Sequence, residues 1–153
     1  MTAQNKLQKG FTLIELLVVI GILAVLLSLV LIAINPSRQF QQANNTKRSS
    51  DVNAILNAVH QYAVDNSGNL PTGITTSSQQ ISNTGANICA ALVTRYMAAL
   101  PTDPTATAAG TPVTSCGAAY NTGYTIVTSA SDNRVTVTAP NTQLGITAIS
   151  VTR

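Results

Sequence analysis

The sequence has little of what catalysis and metal binding usually require. It has no tryptophan, only four Tyr and two Phe, two cysteines and a single histidine, His60, and charged residues make up 8% of the chain. His60 has no nucleophile paired with it and no Cys, Asp or Glu at metal-ligand spacing. Since general acid–base and nucleophilic catalysis need such paired groups, we predict neither an enzyme nor a bound cofactor or metal.

The small excess of positive charge does not indicate a nucleic-acid-binding protein. Eight Lys and Arg against five Asp and Glu give a net charge of +3. Lys6 and Lys9 precede a long apolar run, and without residues 1–10 the net charge falls to +1. The remaining basic residues form no dense patch, so charge alone makes nucleic acid an unlikely partner.

The two cysteines, Cys89 and Cys116, lie 27 positions apart and form no CxxC motif. In an exported domain such a pair predicts a disulfide bond. In the chain-entropy model, closing a loop of this size stabilises the fold by about 3 to 4 kcal/mol. Two buried free thiols are the alternative.

The sequence is rich in apolar residues at one place, the run from Phe11 to Ile34, whose only charged member is Glu15. About 20 apolar residues cross a bilayer as a helix, so the run is long enough to span one. A cleavable secretory signal has an apolar region of about 7 to 15 residues followed by a small-x-small site, and this run is longer and lacks that site. Taken by itself, the run predicts an uncleaved signal anchor.

Glu15 requires an explanation, because a carboxylate in a membrane segment costs about 2.5 to 3.5 kcal/mol at the helix centre and less near an end. No Lys, Arg or His occurs between Lys9 and Arg38, so a cationic partner must come from elsewhere. A chain cut just before Phe11 would supply an α-amino group at matching depth in a neighbouring subunit. The alternative is that Glu15, one turn from the end of the run, snorkels to the lipid head groups.

The short basic leader ending in Lys9-Gly10, followed by FTLIELLVVIGILAVLL, closely resembles the class III leader of type IV prepilins and of the pseudopilins of type II secretion. The resemblance implies that a prepilin peptidase cuts after Gly10 on the cytoplasmic side and methylates Phe11, the new N-terminus. It also implies that Glu15 neutralises the Phe11 amine of an adjacent subunit during filament assembly. Without the residues that follow it, Gly10 would be interpreted as a linker residue.

The expected fold is α+β, with a long N-terminal helix packed on a small antiparallel β-sheet, as the resemblance implies. We expect a leader over residues 1–10, a transmembrane or filament-core helix half over 11–34, an amphipathic half over 35–66 and a head over 67–153. Pro36 predicts a kink near the end of the apolar run, and whether the helix melts there in a fibre is left open. The amphipathic half has an apolar stripe at helical spacing, formed by Val52, Ile55, Leu56, Val59 and Ala63.

Two polar segments are given structural interpretations. Residues 34–51, which contain Arg38, Lys47 and Arg48, are interpreted as a solvated helix surface, with contacts to lipid head groups or neighbouring subunits as the alternative. Asp103 lies between two prolines and is interpreted as a turn residue. Residues 105–123 contain no Asp or Glu, so we predict no calcium site there.

In the head, residues 72–87 are predicted to be a loop. Apolar residues at helical spacing predict a short helix from Ile88 to Leu100, stopped by Pro101. Alternating segments at 123–128, 134–139 and 146–152 predict a three-stranded antiparallel meander, with a fourth strand near Cys116 as the alternative.

The resulting hypothesis is a structural subunit of a type IV pilus, which polymerises with copies of itself through its N-terminal helix. Its partners would be the prepilin peptidase, the inner-membrane assembly machinery and, before assembly, the membrane. It would be a single-pass precursor in the cytoplasmic membrane and then part of an extracellular pilus. The alternatives are a pseudopilin of a type II secretion-like system and a non-polymerising, membrane-anchored surface binding module.

Overall fold

The protein is described here from a computed structural model that covers residues 10–106 and 110–153. The chain divides into two compact units between Gln39 and Phe40. The described part has the predicted α+β class, a long apolar N-terminal helix followed by a four-stranded antiparallel sheet. The elements are α1 (Leu13–Ile34), α2 (Pro36–Asp65), β1 (Gln79–Ser82), α3 (Cys89–Leu92), β2 (Asn121–Thr128), β3 (Val135–Ala139) and β4 (Ile149–Thr152).

Helix α1 is apolar on every face, and none of its side chains is buried within the chain. In the described part of the chain it is the one helix long and apolar enough to cross a membrane. It ends at Asn35, which has φ +47°, and Pro36 begins α2. The interruption predicted near Pro36 therefore lies at Asn35, because a left-handed residue ends a helix and proline is well suited to the first position of the next one.

Helix α2 buries the predicted stripe. Val52, Ile55, Leu56 and Val59 have no exposed surface, and Ala63 is half-buried. These side chains belong to one hydrophobic core with apolar residues of the sheet, among them Tyr124, Ile126, Val135 and Val137. The helix ends as the sequence indicates, because Gly68, with φ +87°, donates its N–H to the Ala63 carbonyl at 2.8 Å.

The sheet has the order β1-β2-β3-β4, and every neighbouring pair is antiparallel. In β3, Val135, Val137 and Ala139 are buried while the threonines between them are half-buried. This alternation is the pattern of a sheet with one face on the core and one towards solvent. The predicted meander is present as β2, β3 and β4.

The fourth strand is β1, and it lies where the sequence predicts a loop. Residues 72–87 are rich in Ser, Thr and Gly, and β1 contains one apolar residue, Ile81, which is fully buried. Gln79 pairs with Ile126, far along the chain. A four-residue strand with one apolar residue has no alternation to detect. The loop prediction was therefore wrong for Gln79–Ser82 and right for the rest of residues 72–87, and the alternative of a fourth strand near Cys116 was wrong.

The predicted helix from Ile88 to Leu100 is much shorter in the structure, where α3 contains only Cys89–Leu92. Val93 is extended and Thr94 has φ +75°, which ends the helix. Leu100 then pairs with Val113 through two backbone hydrogen bonds, of 3.0 and 2.8 Å. The apolar spacing reflects burial of Leu92 and Leu100 in the core, and tertiary pairing overrides the helical periodicity.

Cys89 and Cys116 are joined by a disulfide bond, with their Cα atoms 5.5 Å apart. Replacing both by alanine is expected to lower the free energy of unfolding by about 3 to 4 kcal/mol, because the unfolded chain regains the entropy of the open loop. Urea unfolding of the full chain in detergent, with and without reductant, measures this. Reduction should destabilise the native chain and leave the double variant unchanged; equal stability of the reduced and oxidised native chains would contradict the prediction.

Candidate processing and assembly site

The start of α1 is organised by a reciprocal pair of contacts between Thr12 and Glu15. Thr12 is extended and caps the helix, since its Oγ1 accepts the Glu15 N–H at 3.2 Å. Glu15 Oε2 in turn accepts from the backbone N–H and the hydroxyl of Thr12, both at 2.7 Å. This is a capping box, which satisfies backbone donors that a helix start otherwise leaves free.

The capping box gives Glu15 a local role that sequence reasoning missed. The signal was present, because Thr-x-x-Glu before an apolar run is a capping-box signature. Both donors are neutral, so the contacts orient the carboxylate without cancelling its charge. Both also end on Oε2, and among the described residues no hydrogen bond ends on Oε1.

Gly10 and Phe11 lie before the first helical residue, Leu13. Gly10 is exposed, and a Cβ added to it would meet no atom within 4 Å. Phe11 is 85% exposed. The bond predicted to be cut is therefore outside the helix and accessible within the described chain. The rest of the predicted leader, residues 1–9, lies outside the described residues.

The remaining surface of α1 offers almost no polar group. Its other polar side chain, Ser28, donates its hydroxyl to the Val25 carbonyl at 2.7 Å, so this hydroxyl is satisfied within the helix. The large apolar side chains of the helix are 50% to 80% exposed. A helix that is apolar all round requires lipid or other apolar helices around it.

A second group of polar residues lies in the second compact unit, Phe40–Arg153, which is called the head from here on. The group is centred on Arg48, which has no exposed surface. Its Nε lies 2.7 Å from Asp103 Oδ2, and its Nη2 lies 3.0 Å from Asp103 Oδ1. Arg48 also donates to Asn45 Oδ1 at 2.9 Å and to Thr105 Oγ1 at 2.7 Å. The Arg48–Asp103 ion pair is thus bidentate, and Asn45 and Thr105 accept further hydrogen bonds from the guanidinium. A buried ion pair requires such additional hydrogen bonds.

The interpretation of residues 34–51 as a solvated surface was wrong for Arg48. Arg48 lies four residues before Val52, so it continues the buried stripe of α2 by one turn. That position was a usable signal, since charged residues on an apolar face are buried only when paired. Lys47, one position earlier, has a side chain that is 42% exposed and pairs with Asp51 at 2.6 Å.

Asp103 has the predicted turn role together with a buried ionic one. Its Oδ1 accepts the Thr105 backbone N–H at 2.8 Å, which is a turn contact. Burial raises the pKa of the Asp103 carboxyl, but hydrogen bonds from Arg48 and Thr105 outweigh burial, so the pKa lies below its ordinary value of 3.8. The carboxylate is therefore charged at neutral pH.

This lowered pKa predicts a pH-dependent stability. The stabilisation that ionised Asp103 provides is fully present at pH values above its pKa in the unfolded chain, near 3.8. It is lost as the pH falls through the lower pKa of the folded state. Asp103→Asn removes the charge at every pH. The free energy of unfolding of the native chain should therefore exceed that of this variant most at neutral pH. The gap in unfolding free energy should narrow below about pH 4; a gap that stays constant down to about pH 2 would contradict the assignment.

Tyr124 extends the polar core beside this pair. Its hydroxyl donates to Asp51 Oδ2 at 2.7 Å. Burial, followed by the hydrogen bond to Asp51, raises the pKa of Tyr124 far above its ordinary value. The phenol is therefore a permanent donor, which links the buried face of the sheet to α2.

His60 lies on α2 and is half-buried, as expected for a border position. Its Nε2 is buried with no hydrogen-bond partner in the described structure. Residues 10–106 and 110–153 contain no group of three or more His, Cys, Asp or Glu that could hold a metal ion. No residue predicted to act in processing or assembly lies near His60 in sequence.

A family model matches the same N-terminal region. The family described as the prokaryotic N-terminal methylation motif matches residues 5–31. Type II secretion system core protein G of Aeromonas hydrophila is 41% identical over 63 residues, which are 41% of this chain and 43% of that protein. The protein of the same name from Escherichia coli (strain K12) is 42% identical over 66 residues, 43% of each chain. The matches thus span less than half of these curated relatives, and no solved structure matches this chain.

Proposed function

We propose that this chain is the structural subunit of a type IV pilus, since it matches the prokaryotic N-terminal methylation motif and is similar to type II secretion system core protein G. The observation that supports the proposal most is the combination of an exposed Gly10-Phe11 bond with an apolar helix that carries one oriented carboxylate. It acts by assembly rather than by catalysis.

Before assembly, α1 anchors the precursor in the cytoplasmic membrane. Its 22 residues rise by about 33 Å, which matches the hydrocarbon core of a bilayer. The prepilin peptidase then cuts after Gly10, and the α-amino group of Phe11 becomes the new N-terminus. The cut leaves the Thr12–Glu15 capping box intact, because both of its residues lie beyond the bond that breaks.

Polymerisation exchanges lipid contacts around α1 for contacts with other copies of α1. Lipid tails are as apolar as leucine, so this exchange yields little hydrophobic free energy and depends on packing and polar pairing. Glu15, held by Thr12 through Oε2, pairs with the Phe11 amine of an adjacent subunit. Each addition thereby neutralises two charges that would otherwise lie near the membrane core.

The second candidate is a pseudopilin of a type II secretion-like system. The similarity to core protein G supports it directly, because both curated relatives have that name. The same anchor, cut and charge pairing would then build a short fibre in the cell envelope instead of a surface pilus. A non-polymerising surface module is the third candidate, for which the leader would remain uncut.

Shearing the cell surface separates these candidates. The released material is examined by electron microscopy and by mass spectrometry of the subunit N-terminus. Long fibres whose subunit begins with methylated Phe11 are the expected result. Processed Phe11 retained in the envelope without fibres would indicate a pseudopilin, and an intact Lys9-Gly10-Phe11 sequence in the membrane would overturn both assembly proposals.

A further inference from the structure

The head carries three exposed apolar side chains, Phe40, Leu144 and Ile146, hereafter the base patch, and Phe40 lies six residues after the end of α1. Phe40 lies in α2 and is 71% exposed, while Leu144 and Ile146 lie in the loop between β3 and β4 and are 43% and 46% exposed. We propose that the base patch rests in the interfacial layer of the bilayer before assembly. This inference depends on the membrane anchoring contained in the proposed function.

Hydrogen bonds between Gln143 and α2 bring the loop close to Phe40. Asn45 donates to the Gln143 carbonyl at 2.8 Å and accepts the Gln143 N–H at 3.0 Å, and Asn44 Nδ2 donates to Gln143 Oε1 at 2.9 Å. Asn44 lies four residues after Phe40, so the two share one face of α2 about one turn apart. Leu144 directly follows Gln143 and therefore lies next to that face.

Leu144 occupies a position that neither conformation nor packing favours. Leu144 and Gly145 have φ +63° and +73°, and the Gln143 carbonyl accepts the Ile146 N–H at 3.4 Å. Two successive positive φ values are those of a type I′ turn, in which Gly, Asn or Asp is preferred at both central positions. A leucine at this position costs conformational free energy, and its side chain is still 43% exposed. The cost is therefore not offset by burial within the chain, which favours a contact of Leu144 with something outside it.

Chain connectivity and charge both favour the bilayer interface as the surface that the base patch contacts. Phe40 follows the last residue of α1, Ile34, by six residues, which cannot extend beyond about 21 Å. Phe40 therefore stays near the membrane surface whenever α1 spans the bilayer. Residues 39–46 and 135–152 contain no charged side chain, so this part of the head meets no electrostatic cost on entering the interface. Phe and Leu side chains bind the boundary between head groups and acyl chains in this manner.

The absence of tryptophan from the chain allows a clean test with single-tryptophan variants of the full chain. Leu144→Trp and Ile146→Trp report on the base patch. Val64→Trp is the matched control, because Val64 is 81% exposed on the same helix, 24 residues and about 36 Å beyond Phe40. Leu23→Trp, within α1, reports on insertion itself.

Each variant is reconstituted at high lipid-to-protein ratio in phosphatidylcholine–phosphatidylglycerol vesicles, with or without a spin-labelled lipid. The label lies near the head group for the base-patch and Val64 variants and near the end of the acyl chain for Leu23→Trp, which lies at the middle of α1. Emission of the two patch variants should fall about two-fold, because interfacial side chains lie about 5–10 Å into this boundary, while Val64→Trp stays unchanged. Quenching of Leu23→Trp without quenching of either patch variant would overturn the base-patch proposal alone. Absence of quenching at Leu23 as well would overturn the anchoring on which it rests. Blue-shifted emission of the patch variants that depends on protein density and is not reduced by the quencher would overturn the base-patch proposal. It would show that the base patch contacts a second copy of the chain instead of lipid.

Discussion

Glu15→Ala is expected to leave the membrane level and the cleavage of the protein unchanged while abolishing its incorporation into filaments. In the filament core the Phe11 amine would lose its only anionic partner from the neighbouring α1. Removing one partner of a buried ion pair costs about 3 to 5 kcal/mol. A loss of that size lowers the equilibrium constant for each subunit addition by more than about 100-fold. Sheared-fibre yield measures incorporation, and N-terminal mass spectrometry measures cleavage.

The capping box makes matched controls necessary, because Glu15→Ala removes a helix cap as well as a charge. Glu15→Gln keeps an oxygen that can accept from Thr12 but removes the charge, and it should fail to assemble like the alanine variant. Thr12→Ala keeps the charge and weakens the cap by about 0.5 to 2 kcal/mol, so it should reduce assembly only partially. Normal fibres from Glu15→Gln would rule out charge pairing with Phe11.

Arg48→Ala is expected to lower the free energy of unfolding of the head by about 3 to 5 kcal/mol, because it leaves the buried Asp103 carboxylate without its cation. That loss is a large part of the stability of a domain of this size, for which about 5 to 15 kcal/mol is usual. Chemical denaturation of the full chain in detergent, followed by near-ultraviolet circular dichroism of the tyrosines, provides the measurement.

Lys47→Ala is the matched control for this change, since Lys47 is the neighbouring cation and pairs with Asp51 at a partly exposed site. Loss of the Lys47–Asp51 pair should lower the free energy of unfolding by no more than about 1 kcal/mol. A double change, Arg48→Met with Asp103→Leu, removes both buried charges and should cost less than Arg48→Ala alone. Equal effects of Arg48→Ala and Lys47→Ala would show that the buried pair contributes nothing beyond a surface ion pair.

The features that the sequence predicts well depend on neighbouring residues. The membrane-length helix follows from the continuous run of apolar residues after Phe11, and its end follows from Pro36. The buried stripe from Val52 to Val59 follows from a 3.6-residue period. The Thr12–Glu15 capping box also belongs to this class, because its two residues are three apart.

Tertiary structure alone decided the features that join distant residues. Arg48 and Asp103 are 55 positions apart, and although the helical period places Arg48 on the buried stripe, no local pattern indicates that its partner is an aspartate between two prolines. The pairing of β1 with β2 and the early end of α3 are likewise set by partners far along the chain. Local periodicity encodes which face of a helix or strand is apolar, whereas the partner that a buried polar group meets depends on how the whole chain closes around its core.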